Sequence, residues 1–287
     1  MFCCHVRIYY KSSELKSTVE ELKAQGRSIG MVPTMGALHR GHLSLIQQAL
    51  DENDAVVVSI FVNPTQFNNP EDLEKYPRML ETDVELLQQL SDEIMVFAPS
   101  VDDIYGAEVE SISFSYDGLE HEMEGRFRDG HFDGVGTIVK RLFEIGLPNN
   151  AYFGEKDFQQ LMIIKKLVEK YGIPVNVIGC PIFREADGLA MSSRNIRLKP
   201  AHREAAPFIY KTLQAAKDKF GTESAKAVTD WVESQFSNNE LLELEYFIIA
   251  DEQTLKTITE KTNTNACRGF IAVYAGDVRL IDNIALN

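Results

Sequence analysis

Short apolar runs alternate with amphipathic stretches along the first two-thirds of the chain. RSIGMVP (27–33) reads as a short buried strand, and HLSLIQQALDEND after it carries Leu43, Ile46 and Leu50 at helical spacing. AVVVSIFV (55–62) is β-branched and apolar throughout, the pattern of a strand covered on both faces. ETDVELLQQL predicts a helix and EIMVFAP a strand; GVGTIVKRLFEIG (134–146) a helix and NAYFG a strand; KDFQQLMIIKKLVEKYG a helix and IPVNVIGC a strand. Strand-then-helix alternation of this kind predicts an α/β fold with a parallel sheet wound on both faces, over residues 1–182.

The pattern changes after FREADGLAMSSRNIRLKP. Helical stretches are expected at 201–219 and 224–236, and LELEYFIIA and RGFIAVYAGDVRLIDNI then read as antiparallel strands. Residues 185–287 are therefore expected to form a smaller C-terminal α+β domain beside a Rossmann-like doubly wound sheet.

Composition narrows the classes. The chain has 287 residues and is 44% hydrophobic, enough to give one large domain or two moderate ones a core. It holds no apolar run of about 18 residues, so no transmembrane helix is expected. The opening MFCCHVRIYYKSSELK lacks the charged-then-apolar layout of a signal peptide, and a cytoplasmic protein is the simplest expectation. Cys3 and Cys4 are adjacent, Cys180 and Cys267 stand apart, and no CxxC pair occurs, which argues against a disulfide framework and a structural zinc site. The CCH at 3–5 is read as a feature of the N-terminus, not a ligand set. A net charge of −14 without a Lys/Arg run disfavours nucleic acid and anionic membranes as partners.

The chemistry-bearing residues fall at the C-terminal ends of predicted strands. PTMGALHRGH (33–42) follows the first, NPTQFNNP (63–70) the second, FGEKD (153–157) the strand at 150, and FREADGLAMSSRN (183–195) the last. Open parallel sheets bind ligands at that edge, so four clusters there point to one composite site. In PTMGALHRGH, Gly36 and Gly41 allow a tight turn and close backbone approach. A helix starting near Gly41 aims N–H groups and a positive dipole end at the cluster, and His39 and His42, three apart, share its face. Such a set suits a polyphosphate. It is neither GxGxxG nor GxxxxGK[ST], so the dinucleotide fingerprint and the P-loop are excluded. No Asp, Glu or Cys at usual spacing completes a two-histidine metal site.

PTMGALHRGH resembles the HIGH-type signature of the nucleotidyltransferase superfamily, and MSSRN (191–195) stands where that superfamily carries its KMSKS-like element. With FVNPTQF, FGEKDFQQL, DGLAMSSRN and the closing RLIDN, the chain is similar over nearly its whole length to the pantoate–β-alanine ligase family. The resemblance implies a homodimeric enzyme of coenzyme A biosynthesis that joins pantoate to β-alanine using ATP and Mg²⁺ and releases AMP and pyrophosphate. It implies that Met35, Gly36, Ala37, Leu38, His39, Arg40, Gly41 and His42 bind ATP, with His42 as proton donor. Gly154, Glu155, Lys156 and Asp157, and Met191, Ser192, Ser193 and Arg194, are implied as further ATP ligands, and Phe183 falls at a nucleotide-contact position often held by valine. Gln66 and Gln160 are implied to hold pantoate, Gln66 also touching β-alanine. The chain departs from the family in EGRFRDGHFDGV (124–135), where Asp129 replaces a proline and removes a fixed φ.

The implied reaction must turn a carboxylate, a poor electrophile, into a mixed anhydride by attack on the α-phosphorus of ATP. Such chemistry depends on positioning and charge stabilisation. His39, His42, Lys156 and Arg194, with Mg²⁺, suit the charge, Ser192 and Ser193 can donate to phosphate oxygens on a mobile strap, and Asp83 is the candidate metal ligand. Ser192 and Ser193 could equally cap a helix, and Gln159 and Gln160 cannot both face one site. The neutral amides from Asn63 to Gln66 suit a small hydroxy acid better than a phosphorylated substrate. Two other readings stay open: a different small-molecule adenylyltransferase of the superfamily, and a non-catalytic nucleotide-binding module. The C-terminal domain is expected to close over the site.

Overall fold

The computed structural model describes residues 6–260 and 266–286. The CCH stretch at 3–5 lies outside the described residues. Six strands form one parallel sheet: β1 (Arg7–Tyr9), β2 (Ile29–Thr34), β3 (Ala55–Ile60), β4 (Ile94–Phe97), β5 (Asn150–Gly154) and β6 (Asn176–Cys180). Their order is β1-β4-β3-β2-β5-β6, and every neighbouring pair is parallel. The chain builds outward from β2 through β3 to β4, then returns to add β5 and β6 on the other side of β2. The strand order thus reverses between β2 and β5, and such a switch point opens a crevice beyond the strands' carboxyl ends.

Five of these strands match the apolar runs. The hydrophobic pattern marks no element before Arg27, where the structure has β1, a three-residue edge strand, and α1 (Ser12–Ala24). The longer helices between strands are α2 (Arg40–Glu52), α3 (Leu80–Leu90), α4 (His131–Gly146) and α5 (Phe158–Tyr171). Val32, Val56, Val58, Ile94 and Val96 from the sheet pack with Leu38, Ile46, Ala49, Val84 and Leu87, all buried. Burying each such side chain contributes roughly 1.5–3 kcal/mol, which fixes α2 and α3 against the sheet.

The chain divides into two compact units, one of residues 1–155 and 160–181, the other of 156–159 and 182–287. In the second, α6 (Phe208–Phe220) and α7 (Ala225–Phe236) cover an antiparallel sheet of order β7-β8-β9, namely Glu243–Asp251, Cys267–Ala275 and Val278–Ala285. The continuous helix expected over 201–219 is instead two, Pro200–Ala205 and Phe208–Phe220, parted at Pro207. Proline lacks the amide that would carry the ladder across. Gly276, at φ +65°, takes the first turn position between β8 and β9, where a two-residue hairpin favours glycine.

Candidate active site

The chain leaving β2 makes a left-handed turn, with Gly36 at φ +79° and Ala37 at φ 51°. A side chain at Gly36 would put its Cβ 2.9 Å from Asp83 Oδ2, so only glycine fits. Asp83 lies in the first turn of α3 and is 1% exposed. Its Oδ2 accepts from the Ala37 amide at 2.9 Å and its Oδ1 from the Leu38 amide at 2.7 Å. Two successive N–H groups converging on one carboxylate offset the cost of Ala37's backbone conformation. Burial nevertheless pushes the Asp83 carboxyl above the ordinary carboxylate range, against the pull of the two donors.

That clamp sets the entry to α2. The side chains of Ala37 and Leu38 are buried, so these residues offer a ligand only backbone, while Arg40 is exposed. His39 stands at the N-cap of α2 in an extended conformation and makes no side-chain cap. The His39 and His42 rings stack with centroids 4.0 Å apart, the one-face placement their spacing predicts. Gly41 lies in the first turn of α2. A helix N-terminus flanked by two imidazoles forms an anion-attracting surface.

Beyond β3, Pro64–Gln66 form a short 3-10 turn. Asn63 is 1% exposed, and its Nδ2 donates to Gln66 Oε1 at 3.1 Å and to the Gly134 carbonyl at 3.2 Å. Its Oδ1 accepts from the hydroxyls of Thr65 and Tyr105. Asn63 thus organises the turn from beneath. The Gln66 amide donates to Met35 Sδ at 3.2 Å, so the first and second polar clusters meet. Sulfur is a weak acceptor, which an incoming oxygen can replace. Three residues that the pattern did not single out hold the turn: Tyr105, and from the 124–135 segment Arg128 and His131. Arg128 Nη2 lies 3.2 Å and His131 Nδ1 2.8 Å from the Gln66 carbonyl. Asp129, the departure from proline, is exposed, and its carbonyl accepts from Asn68 Nδ2.

Gly154 ends β5, next to β2, and Glu155 follows it. In α5, Gln159 is buried, at 5% exposure, and Gln160 is half-buried, the split expected of adjacent helical residues. Within this first unit, Met35–His42, Asn63, Gln66, Gly154, Glu155 and Gln160 all follow strands that end on the same edge of the sheet.

The second unit carries the rest. Lys156 Nζ lies 3.7 Å from Asp157 Oδ1, and the Lys156 carbonyl accepts from Asn283 Nδ2 at 2.9 Å. Phe183 is partly exposed, and its carbonyl accepts from the Met191 amide at 3.0 Å. Ser192 Oγ accepts from the Arg194 amide at 3.3 Å, capping the 3-10 turn Ser193–Arg197; its capping role is therefore present whatever else it does. Asn195 ties the same segment to Glu185 Oε1 and the Ala190 carbonyl. Arg184 forms a bidentate pair with buried Asp282, at 2.6 and 2.9 Å. Arg184, Asp282 and Asn283 are further residues whose spacing announces no role.

Asp83, the expected metal ligand, accepts from the Ala37 and Leu38 amides with its two oxygens and so clamps the glycine turn. Among the described residues no group of three His, Cys, Asp or Glu side chains could hold a metal ion.

A six-stranded parallel sheet with a glycine turn and an uncapped helix at its switch point defines a Rossmann-like nucleotide-binding fold. The family profile of pantoate–β-alanine ligases matches residues 7–285. The chain is 56% identical to the pantothenate synthetase of Christiangramia forsetii over 98% of its length and 100% of the relative's, and 57% identical to that of Flavobacterium psychrophilum over 97% and 99%. Its fold is similar to the crystal structure of pantothenate synthetase from Thermus thermophilus, with a TM-score of 0.90 at 38% identity over 98% of this chain and 99% of that one. It is also similar to the pantoate–β-alanine ligase of Francisella tularensis in complex with β-γ ATP and β-alanine, with a TM-score of 0.81 at 40% identity and 98% coverage of each chain. The chain belongs to the pantoate–β-alanine ligase family, the AMP-forming enzymes that join this acid to this amine.

Proposed function

We propose that this chain condenses pantoate with β-alanine at the expense of ATP, through a pantoyl adenylate, and releases AMP and pyrophosphate. One observation carries the reading: a neutral amide, Gln66, sits against Met35 at the mouth of the glycine turn that leads into α2. An anion-attracting helix end beside an uncharged donor–acceptor group suits a nucleotide phosphate next to a hydroxy acid. The Francisella relative's complex with β-γ ATP and β-alanine supports the same pairing of ligands.

In this reading, backbone amides of Gly41 and His42 and the imidazoles of His39 and His42 hold ATP phosphates, with His42 donating a proton. Gly154–Asp157, Phe183 and Met191–Arg194 complete the nucleotide set, and Lys156 and Arg194 offset charge that develops as pyrophosphate leaves. Gln66 and Gln160 pair with pantoate's hydroxyl and carboxylate without adding a cation that would blunt its attack. Asn63 keeps Gln66 in place. The β-alanine amine then attacks the acyl carbonyl and AMP departs. Mg²⁺ would ride on the ATP phosphates, with Asp83 as its candidate protein ligand, and would supply charge neutralisation there. The proposed nucleotide ligands are residues of both compact units. A cytoplasmic homodimer in coenzyme A biosynthesis is part of the same proposal and rests on family membership.

Product analysis tests it. With ATP and pantoate alone, pyrophosphate release and an acyl adenylate are expected, and AMP follows when β-alanine is added. ADP and inorganic phosphate would overturn the reading.

A further inference from the structure

The closing RLIDN motif lies far from every candidate ligand residue in sequence, yet it reaches one of them. Asn283, on β9, is 1% exposed and uses both ends of its amide. Its Oδ1 accepts from Arg268 Nη1 at 2.6 Å, and its Nδ2 donates to the Lys156 carbonyl at 2.9 Å. The Arg268 guanidinium is held in turn by Glu252 Oε1 at 2.8 Å and lies 4.1 Å from the centroid of the Phe158 ring. Phe158 also packs against Phe270, with centroids 5.8 Å apart. The 156–158 turn is therefore gripped at its backbone by Asn283 and at its aromatic ring by Arg268 and Phe270.

We propose that Asn283 is a positioning residue for Lys156, and that the C-terminal hairpin β8–β9 fixes where the Lys156 ammonium is delivered in the adenylation step. The proposal rests on the reading of Lys156 as a phosphate ligand. Its physical basis is the fixed orientation of one amide. Arg268 can face only the acceptor end, because a guanidinium has no acceptor, and this turns the donor end toward the Lys156 carbonyl. A carboxylate at this position would keep Arg268 but set an oxygen against the carbonyl of Lys156. The turn would then move, and an ammonium displaced by about an ångström loses much of its effect on a developing charge.

The test is the rate of pyrophosphate release on mixing enzyme with ATP and pantoate, measured for Asn283→Asp, Asn283→Ala, Lys156→Ala and the double variant Asn283→Asp with Lys156→Ala. Each is assayed below its own melting temperature. Asn283→Asp and Asn283→Ala should slow the step roughly tenfold to a hundredfold, with the pantoate KM little changed. In the Lys156→Ala background, Asn283→Asp should add almost nothing, because residues acting through one group are not additive. Independent, multiplying losses would overturn the proposal, as would a wild-type rate for Asn283→Asp while Lys156→Ala is slow. A wild-type rate for Lys156→Ala would overturn the role of Lys156 itself and the Asn283 proposal with it.

Discussion

Asp83 shows how one buried carboxylate shapes the site. Two amides of the left-handed turn converge on it, and a carboxylate is the one small side chain that accepts from both. Asp83→Asn keeps the shape and turns one oxygen into a donor, so one amide faces another N–H. The expected loss is roughly 1–3 kcal/mol of stability at neutral pH, read as the free-energy difference in urea unfolding. The pH dependence has a definite sign. Because burial holds the folded carboxyl above its unfolded value, protonation of Asp83 contributes stability that is full below the ordinary carboxylate range and is lost as pH rises through the raised value. The gap between wild type and Asp83→Asn should therefore be widest in acid, narrow as pH rises, and then stay flat. A gap that widens with pH would show that the two donors outweigh burial. The role of Asp83 was hidden in the sequence because its partners, Ala37 and Leu38, lie 46 and 45 positions away and contribute only backbone.

At the scale of elements, α4 also seats the Pro64–Gln66 turn. Gly134 allows it: a Cβ there would lie 2.4 Å from the Thr65 carbonyl oxygen and 2.9 Å from Gln66 Cα. These are backbone atoms, so they must move if a methyl is added. Gly134→Ala should displace the turn, destabilise the fold by about 1–3 kcal/mol as overpacking does, and raise the KM for pantoate while leaving that for ATP close to wild type. Steady-state kinetics with each substrate in turn checks this, and an effect confined to ATP would contradict the placement of Gln66. The strands of this unit were readable because a sheet covered on both faces needs short apolar runs, β-branched in β3 and aromatic in β5. β1 was not, since Arg7–Tyr9 is only three residues at a sheet edge. The break at Pro207 was missed because the apolar period continues through it while the hydrogen-bond ladder does not. The grip of Arg128 and His131 on the Gln66 carbonyl follows no local period at all; it exists only once α4 is packed.

The whole molecule divides its candidate ligands by compact unit. Gln66 and Gln160 belong to the first with the glycine turn, while Lys156 falls in the second together with Met191–Arg194. Motif order along the chain names the candidates but does not show this division, because Lys156 and Gln160 are four residues apart in one continuous stretch. If the two halves serve different parts of the reaction, their variants should separate kinetically. Gln66→Leu and Gln160→Leu remove a donor and an acceptor that pantoate would otherwise meet in a desolvated pocket, a loss of roughly 1–3 kcal/mol. The pantoate KM should rise roughly fivefold to 150-fold, with ATP affinity by calorimetric titration nearly unchanged. In the proposed reading, Lys156→Ala and His42→Ala remove groups aimed at charge that appears only as pyrophosphate leaves, worth about 2.7–4 kcal/mol of barrier. Their loss should fall on kcat, with melting temperatures near wild type. If instead the glutamine variants lose ATP binding and keep a wild-type pantoate dependence, the amides belong to the nucleotide half, and the assignment of the acid to the edge beside β3 is wrong.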